Sequence, residues 1–246
     1  HRNATWSGDA DPLGVCRGLV LRVPDPGLPG LCLALFAPSA RLSGHHQAQP
    51  AMNDSKDDDA HLRETCVHSE TVYQGRFLEM RRDKIKLPDG GQAFREYVIH
   101  PGAVMVIAIL PDGRLVMERQ YRYPVRLTMI EFPAGKLDAG EGGLACAQRE
   151  LLEETGYRAA RWARAGVMHP VIGYATEVIE IWFADGLTLG DRHLDEGEFL
   201  DVFAASQSEL EQWMQEGLLT DAKTIVGMMW LRQWRAGQCT LDWLHV

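Results

Sequence analysis

The sequence predicts an α/β domain on three observations. From His68 onward, short stretches rich in Val, Ile, Tyr and Phe alternate with turn residues, which is the texture of strands. Residues 142–155 then place Leu144, Ala147, Leu151 and Leu152 at helical spacing, the apolar stripe of one amphipathic helix. Further strand-like segments follow, and two helical segments close the chain.

The elements read as follows. Ser69 to Gln74, Phe77 to Leu87 and Gln92 to Ile99 are three expected strands, with Pro88-Asp89-Gly90-Gly91 as a hairpin turn between the last two. Gly102 to Leu110 contains Ala-Val-Met-Val-Ile-Ala-Ile and reads as a buried strand. Pro111-Asp112-Gly113 turns it into a strand from Leu115 to Arg122, and Leu127 to Phe132 is the next. The helix of residues 142–155 stops at Gly156, where a left-handed C-terminal residue belongs. Strands are expected near Ala163 to His169, from Glu177 to Ala184 and from Phe199 to Phe203. Helices over Gln207 to Gln215 and Asp221 to Arg235 finish the chain, and no repeat period appears.

Residues 1–51 have a different texture. Pro, Gly, Ala and Arg recur without period, and the apolar run Leu31 to Phe36 is far too short to cross a membrane. No basic segment precedes a clean apolar stretch, so a secretory leader is not expected. Met52, followed by Asn-Asp-Ser-Lys-Asp-Asp-Asp, looks like an ordinary bacterial start, which makes 1–51 an upstream translation or an overlong reading. Residues 1–61 are therefore expected to be a disordered or mis-annotated extension, and 62–246 the folded domain.

Composition narrows the function. With 246 residues and 46% hydrophobic content, the chain suits one domain with a sizeable core. A net charge of −9 and the lack of a basic stripe argue against a nucleic-acid partner, but not against a nucleotide, because bound cations reverse a local field. The five cysteines are scattered and form no Cys-x-x-Cys pair, so a reducing cytoplasm is expected, without a zinc site or disulfide framework.

Chemistry concentrates between Ala134 and Tyr157. On the helix, Glu150, Glu153 and Glu154 fall at i, i+3 and i+4 and share one face. Like charges so spaced destabilise a helix, and its C-terminal end is already negative. Arg149 offsets part of this; a hard divalent cation would offset more, since carboxylate oxygens are the ligands Mg²⁺ or Mn²⁺ prefers. A solvated acidic face is the alternative.

At these residues the chain resembles the Nudix hydrolase family: Gly135, Glu141, Arg149, Glu150, Leu151, Glu153, Glu154, Gly156 and Tyr157 match its box. The resemblance implies an α/β/α sandwich with a mixed sheet and hydrolysis of a nucleoside diphosphate linked to another moiety. It also implies two or three catalytic Mg²⁺ ions, with Mn²⁺ as a possible substitute. Glu150, Glu154 and the Ala134 carbonyl would hold metal, with Glu153 sharing it; Arg149 would orient these carboxylates, and Glu141 would stand behind them.

Three further stretches look like the ADP-ribose pyrophosphatase branch of that family. Arg95-Glu96-Tyr97 and Arg119-Gln120-Tyr121-Arg122 imply that Arg95 and Arg122 face the substrate, where a guanidinium pairs with phosphate or stacks on a base. Glu131-Phe132-Pro133-Ala134-Gly135 leads into the box and puts Glu131 against the substrate, although Glu131 also alternates with Ile130 and Phe132 as an outward strand residue would. Asp195-Glu196-Gly197-Glu198 resembles the acidic loop that completes the site. There Glu196 is expected as general base and Glu198 as an additional metal ligand, since an attacking water needs a proton acceptor within reach. One departure stands out. The branch carries Ser-Pro-Gly ahead of a glutamate after the box, whereas Ile172 precedes Gly173 here, with Glu177 beyond and Pro170 earlier. The expected reaction is ADP-ribose to AMP and ribose 5-phosphate. The alternatives are a broader dinucleotide or nucleotide-sugar pyrophosphatase and a non-catalytic sensor. A homodimer is also expected, chiefly as the resemblance implies, with Val72, Tyr73, Phe77 and Leu78 as apolar residues a small sandwich would leave uncovered.

Overall fold

The computed structural model describes residues 58–246. A short 3₁₀ turn, Ala60–Leu62, precedes β1 (Thr65–Gln74), β2 (Glu79–Lys86) and β3 (Gln92–Ile99), which form an antiparallel three-stranded sheet in the order β1-β2-β3. Next come β4 (Ala103–Ala108), β5 (Leu115–Arg122), β6 (Leu127–Glu131), β7 (Ala134–Lys136) and α1 (Gly143–Thr155). β8 (Tyr157–Met168), β9 (Ile179–Leu189), β10 (Leu200–Ala205), α2 (Gln207–Gln215), α3 (Ala222–Arg235) and β11 (Leu244–His245) complete the chain.

The central sheet runs β11-β8-β9-β4-β7 and is mixed: β4 and β9 are parallel and the other pairs antiparallel. Every residue of β4 is buried, so the strand needs apolar cover on both faces. Its alternating side chains supply two cores. Met105 and Ile107 pack with Phe132, Ile181, Phe183, Leu210, Met228 and Leu231, toward α2 and α3. Val104, Val106 and Ala108 pack with Cys146, Ala147, Leu151 and Trp182, toward α1. This is the expected α/β/α sandwich. The third sheet, β10-β5-β6, carries Leu115 and Met117 into the first core and Val116 into the second.

Helix α1 ends as its sequence requires. Gly156 adopts φ 78°, and its N–H donates to the Leu152 carbonyl at 2.8 Å. Helix α2 starts with a capping box between Ser206 and Glu209, and α3 with Asp221 accepting from the Thr224 N–H. Several bounds differ from expectation: β1 starts earlier, at Thr65, β2 later, at Glu79, and β9 runs on to Leu189. β8 begins at Tyr157 rather than near Ala163, because Arg158 and Arg161 break the apolar signal while the backbone still pairs with an extended β9. The three-residue β7 and two-residue β11 are too short to show a period.

β1 is exposed along all ten residues, and Val67, Val72 and Tyr73 lie open. The expected extension falls largely on residues 1–57, which lie outside the described residues. Among the described residues, Cys66, Cys146 and Cys239 are free thiols, and no helix is long and apolar enough to cross a membrane.

Candidate active site

The open side of the sandwich holds a cleft of about 440 Å³ between α1, β5, β7, α3 and the 195–198 loop. Ala134, Gly135, Arg149, Glu150, Glu154, Arg122, Lys223 and Glu198 all line it. The backbone of β7 runs close against α1 at Gly135. A Cβ built on Gly135 would stand 1.8 Å from Oε1 of Glu150, so only a glycine lets the strand pass this near the carboxylate. One residue earlier, the Ala134 N–H donates to Oε2 of Glu154 at 3.1 Å.

Arg149 organises the carboxylates. Its Nε and Nη2 grip Glu141 at 2.9 and 2.8 Å, and its Nη1 donates to Glu150 at 2.9 Å and to Glu153 at 3.1 Å. Nη2 also reaches the Lys136 carbonyl at 3.1 Å, tying α1 to β7. This fork drops the Glu141 carboxyl to about 2, and Glu141 in return raises the guanidinium further above its ordinary value.

Glu150 and Glu154 have the opposite character. Burial raises both carboxyls, Glu150 against the pull of Arg149, and Glu154 further through the charges of Glu118, Glu150 and Glu198. Glu154 is 3% exposed. Across the cleft, burial also pushes Glu131 upward, but Arg122 and Lys223 outweigh it and hold the carboxyl below its ordinary value. Arg122 donates to Glu131 from Nε at 2.7 Å and Nη2 at 2.9 Å, and Lys223 donates from the first turn of α3.

Not every residue singled out in the sequence meets at this cleft. Glu131 does not line it but is held by Arg122, which does, and Glu153 meets it only through Arg149. Glu198 lines the cleft and accepts from Gln120 Nε2 at 3.2 Å, whereas Glu196 is exposed and does not line it. Arg95 is outside: its guanidinium pairs with Glu64 on the exposed sheet. Glu177 lines the cleft, 3.7 Å from Nε2 of His100, while Ile172 is fully open and His169 exposed. Two residues at the site drew no attention in the sequence. Lys223 reaches the cleft from far along the chain, with no local signal. Glu118 is 2% exposed, and its place two and four residues before Gln120 and Arg122 on one strand face was the available clue.

Fold and cleft together define an enzyme of the hydrolase class. Residues 99–223 match the NUDIX domain, and residues 64–98 match the nucleoside diphosphate sugar hydrolase N-terminal domain. The chain belongs to the Nudix family. The methanol dehydrogenase activator of Bacillus methanolicus is 38% identical over 175 residues, covering 70% of this chain and 94% of that protein. The ADP-ribose pyrophosphatase of Bacillus subtilis is 34% identical over 173 residues, covering 70% and 94%. A crystal structure described as an ADP compounds hydrolase superposes with a TM-score of 0.65 at 24% identity, over 72% of this chain and 97% of that one, and shares the fold.

Nudix hydrolases generally depend on divalent metal ions. The residues here fit such an ion in donor chemistry: buried Glu154 and half-buried Glu150 from α1 and half-buried Glu198 from the acidic loop, crowded enough to act on one another, with an orphaned, buried Glu118 oxygen on β5. Arg149 presently holds Glu150 and Glu153, and among the described residues no three acidic, histidine or cysteine side chains stand close enough to grip an ion.

Proposed function

We propose that this protein hydrolyses the pyrophosphate of ADP-ribose to AMP and ribose 5-phosphate with Mg²⁺, for which Mn²⁺ can substitute. The observation that carries the reading is the shared cleft of Glu150 and Glu154 from one turn of α1 with Arg122 and Lys223 opposite. That pairing suits a diphosphate. The basic groups would pair with its oxygens, and a cation held by the carboxylates would supply further positive charge to it.

Glu150, Glu154, the Ala134 carbonyl and Glu153 are the groups proposed to hold metal, with Glu198 joining from the loop. When bound, the metal supplies charge neutralisation on the diphosphate and a lower pKa for the attacking water. Arg149 fixes the direction of Glu150 and Glu153 through its four-way grip. Arg122, pinned by Glu131, presents a guanidinium of set orientation to phosphate. The proton acceptor comes from the acidic loop, where Glu198 faces the cleft and Glu196 lies two residues away.

The names of relatives support ADP-ribose, while the match of residues 64–98 to a nucleoside diphosphate sugar hydrolase domain, and Ile172 in place of proline, favour a broader nucleotide-sugar range as second reading. Steady-state hydrolysis of ADP-ribose, NADH, FAD and GDP-mannose with Mg²⁺ tests both. The highest kcat/KM is expected for ADP-ribose. A flat profile supports the second reading, and no turnover of any of them would leave a sensor that binds without cutting.

We also assign residues 62–246 as the working domain and 1–61 as an extension. The exposed β1–β3 sheet is the proposed contact between two copies, which is also where a substrate role for Arg95 would have to arise. The free thiols Cys66, Cys146 and Cys239 support a reducing, cytoplasmic setting.

A further inference from the structure

Strand β5 turns three polar side chains, Glu118, Gln120 and Arg122, to one face, since residues two apart share a side. Two of them have partners at the cleft. Gln120 donates to Glu198, and Arg122 donates to Glu131. Glu118 has no donor: its Oε1 is buried and lacks any hydrogen-bond partner among the described residues. It also sits directly across the β5–β6 ladder from Glu131, the pairing that puts two like charges closest. The nearby cations relieve it only in part: Arg122 donates to Glu131, and Lys223 to Glu131 and Asp221, so neither hydrogen-bonds to Glu118. Glu118 further lies near enough to Glu198 and Glu154 for their charges to act on one another.

A carboxylate in that position works against the fold. Its strand neighbours Leu115, Val116 and Met117 are fully buried apolar residues, and another such side chain would suit the core better. The unmet oxygen belongs to a side chain paired across the ladder with Glu131 and within reach of the charges of Glu154 and Glu198, a crowding that a cation would relieve.

We propose that Glu118 is a further ligand for a divalent cation at this cleft, offering its free oxygen alongside Glu154 and Glu198. The inference rests on the reading of the cleft as a divalent-metal site and adds to it a residue that the box and the acidic loop do not contain. The helix presents its carboxylates from one wall and Glu118 comes from the opposite sheet, so an ion held by both would fasten α1 to β5.

Mn²⁺ binding to the full chain, followed by electron paramagnetic resonance of the free ion and by calorimetry, tests this without turnover. Glu118→Gln keeps the shape and removes the charge. It is expected to weaken Mn²⁺ at least about tenfold or to remove one bound ion per chain, while the metal-free melting temperature stays level or rises. Glu118→Asp should recover part of the affinity. Mn²⁺ binding by Glu118→Gln equal to that of the wild type, in number and affinity, overturns the inference and leaves the divalent-metal reading standing. A wild-type chain that binds no Mn²⁺ overturns both. Should Glu118→Gln melt far below the wild type without metal, the carboxylate is a structural element of the apo fold, and the inference fails on that ground as well.

Discussion

Gly135 and Glu150 compete for one space: a Cβ on the glycine would lie 1.8 Å from Oε1 of the glutamate. The clash is with the far end of a flexible side chain, so the backbone need not move, but the carboxylate must. Gly135→Ala is therefore expected to fold normally and to lose its metal geometry. The Mg²⁺ concentration for half-maximal rate should rise about tenfold or more, with a melting temperature within a few degrees of wild type. A titration of activity against Mg²⁺ checks it. Unchanged half-saturation would mean that Glu150 holds no metal.

The crowding of Glu118, Glu150 and Glu154 predicts how the metal-free protein responds to pH. Burial, first of all, raises each of these carboxyls above the ordinary 4.5. A carboxyl raised by folding binds its proton more tightly in the native state, so its contribution is complete below 4.5 and is lost as pH climbs through the folded value. With chelator present, the melting temperature should fall as pH rises from about 5 to 9. Saturating Mg²⁺ should flatten that slope, since the ion takes the place of the protons. Glu154→Gln should flatten it without metal and abolish turnover. A chelated wild type whose stability climbs over this range would refute the assignment. The lowered Glu131 and Glu141 act at more acid pH, below 4.5, and do not reverse the sign.

The exposed β1–β3 sheet predicts association. All ten residues of β1 face solvent in one chain, and a long open edge with Val67, Val72 and Tyr73 exposed seldom stays bare. Light scattering at micromolar concentration is expected to return twice the chain mass. A monomer mass there would remove the surface from consideration, and with it the route by which Arg95 could meet substrate.

Legibility in the sequence followed how local each signal was. α1 carries its own period, its glycine stop and its acidic face within fourteen positions, so its bounds were readable to one residue. β4 was readable as a buried strand because both faces are apolar. β7 was not, since Ala-Gly-Lys has no alternation, and its role comes from the approach of α1. The same limit applies at the cleft. The box glutamates announce themselves by spacing, but Lys223 arrives from α3 by tertiary packing, and nothing near it in the chain hints at Glu131. Arg95 shows the converse. Its motif pointed to substrate, yet the sheet that carries it gives it Glu64 as a partner.

The acidic loop offers the last test, because its two glutamates are separated by their surroundings. Glu198 lines the cleft and is held by Gln120 on β5, while Glu196, two residues earlier, stands in solvent on the far side of Gly197. A proton acceptor must come within hydrogen-bond reach of the attacking water, and a positioned base contributes roughly 10²–10⁴ in rate. Glu198→Gln is thus expected to lower kcat by about that range, and Glu196→Gln by no more than a few-fold. Mg²⁺ half-saturation separates the roles of Glu198: a rise with little loss of kcat at saturating metal marks a ligand, and a loss of kcat without a rise marks the base. Should Glu196→Gln instead suffer the large loss, the base is Glu196 and the loop must turn it inward over bound substrate, as Gly197, at φ 86°, leaves room for.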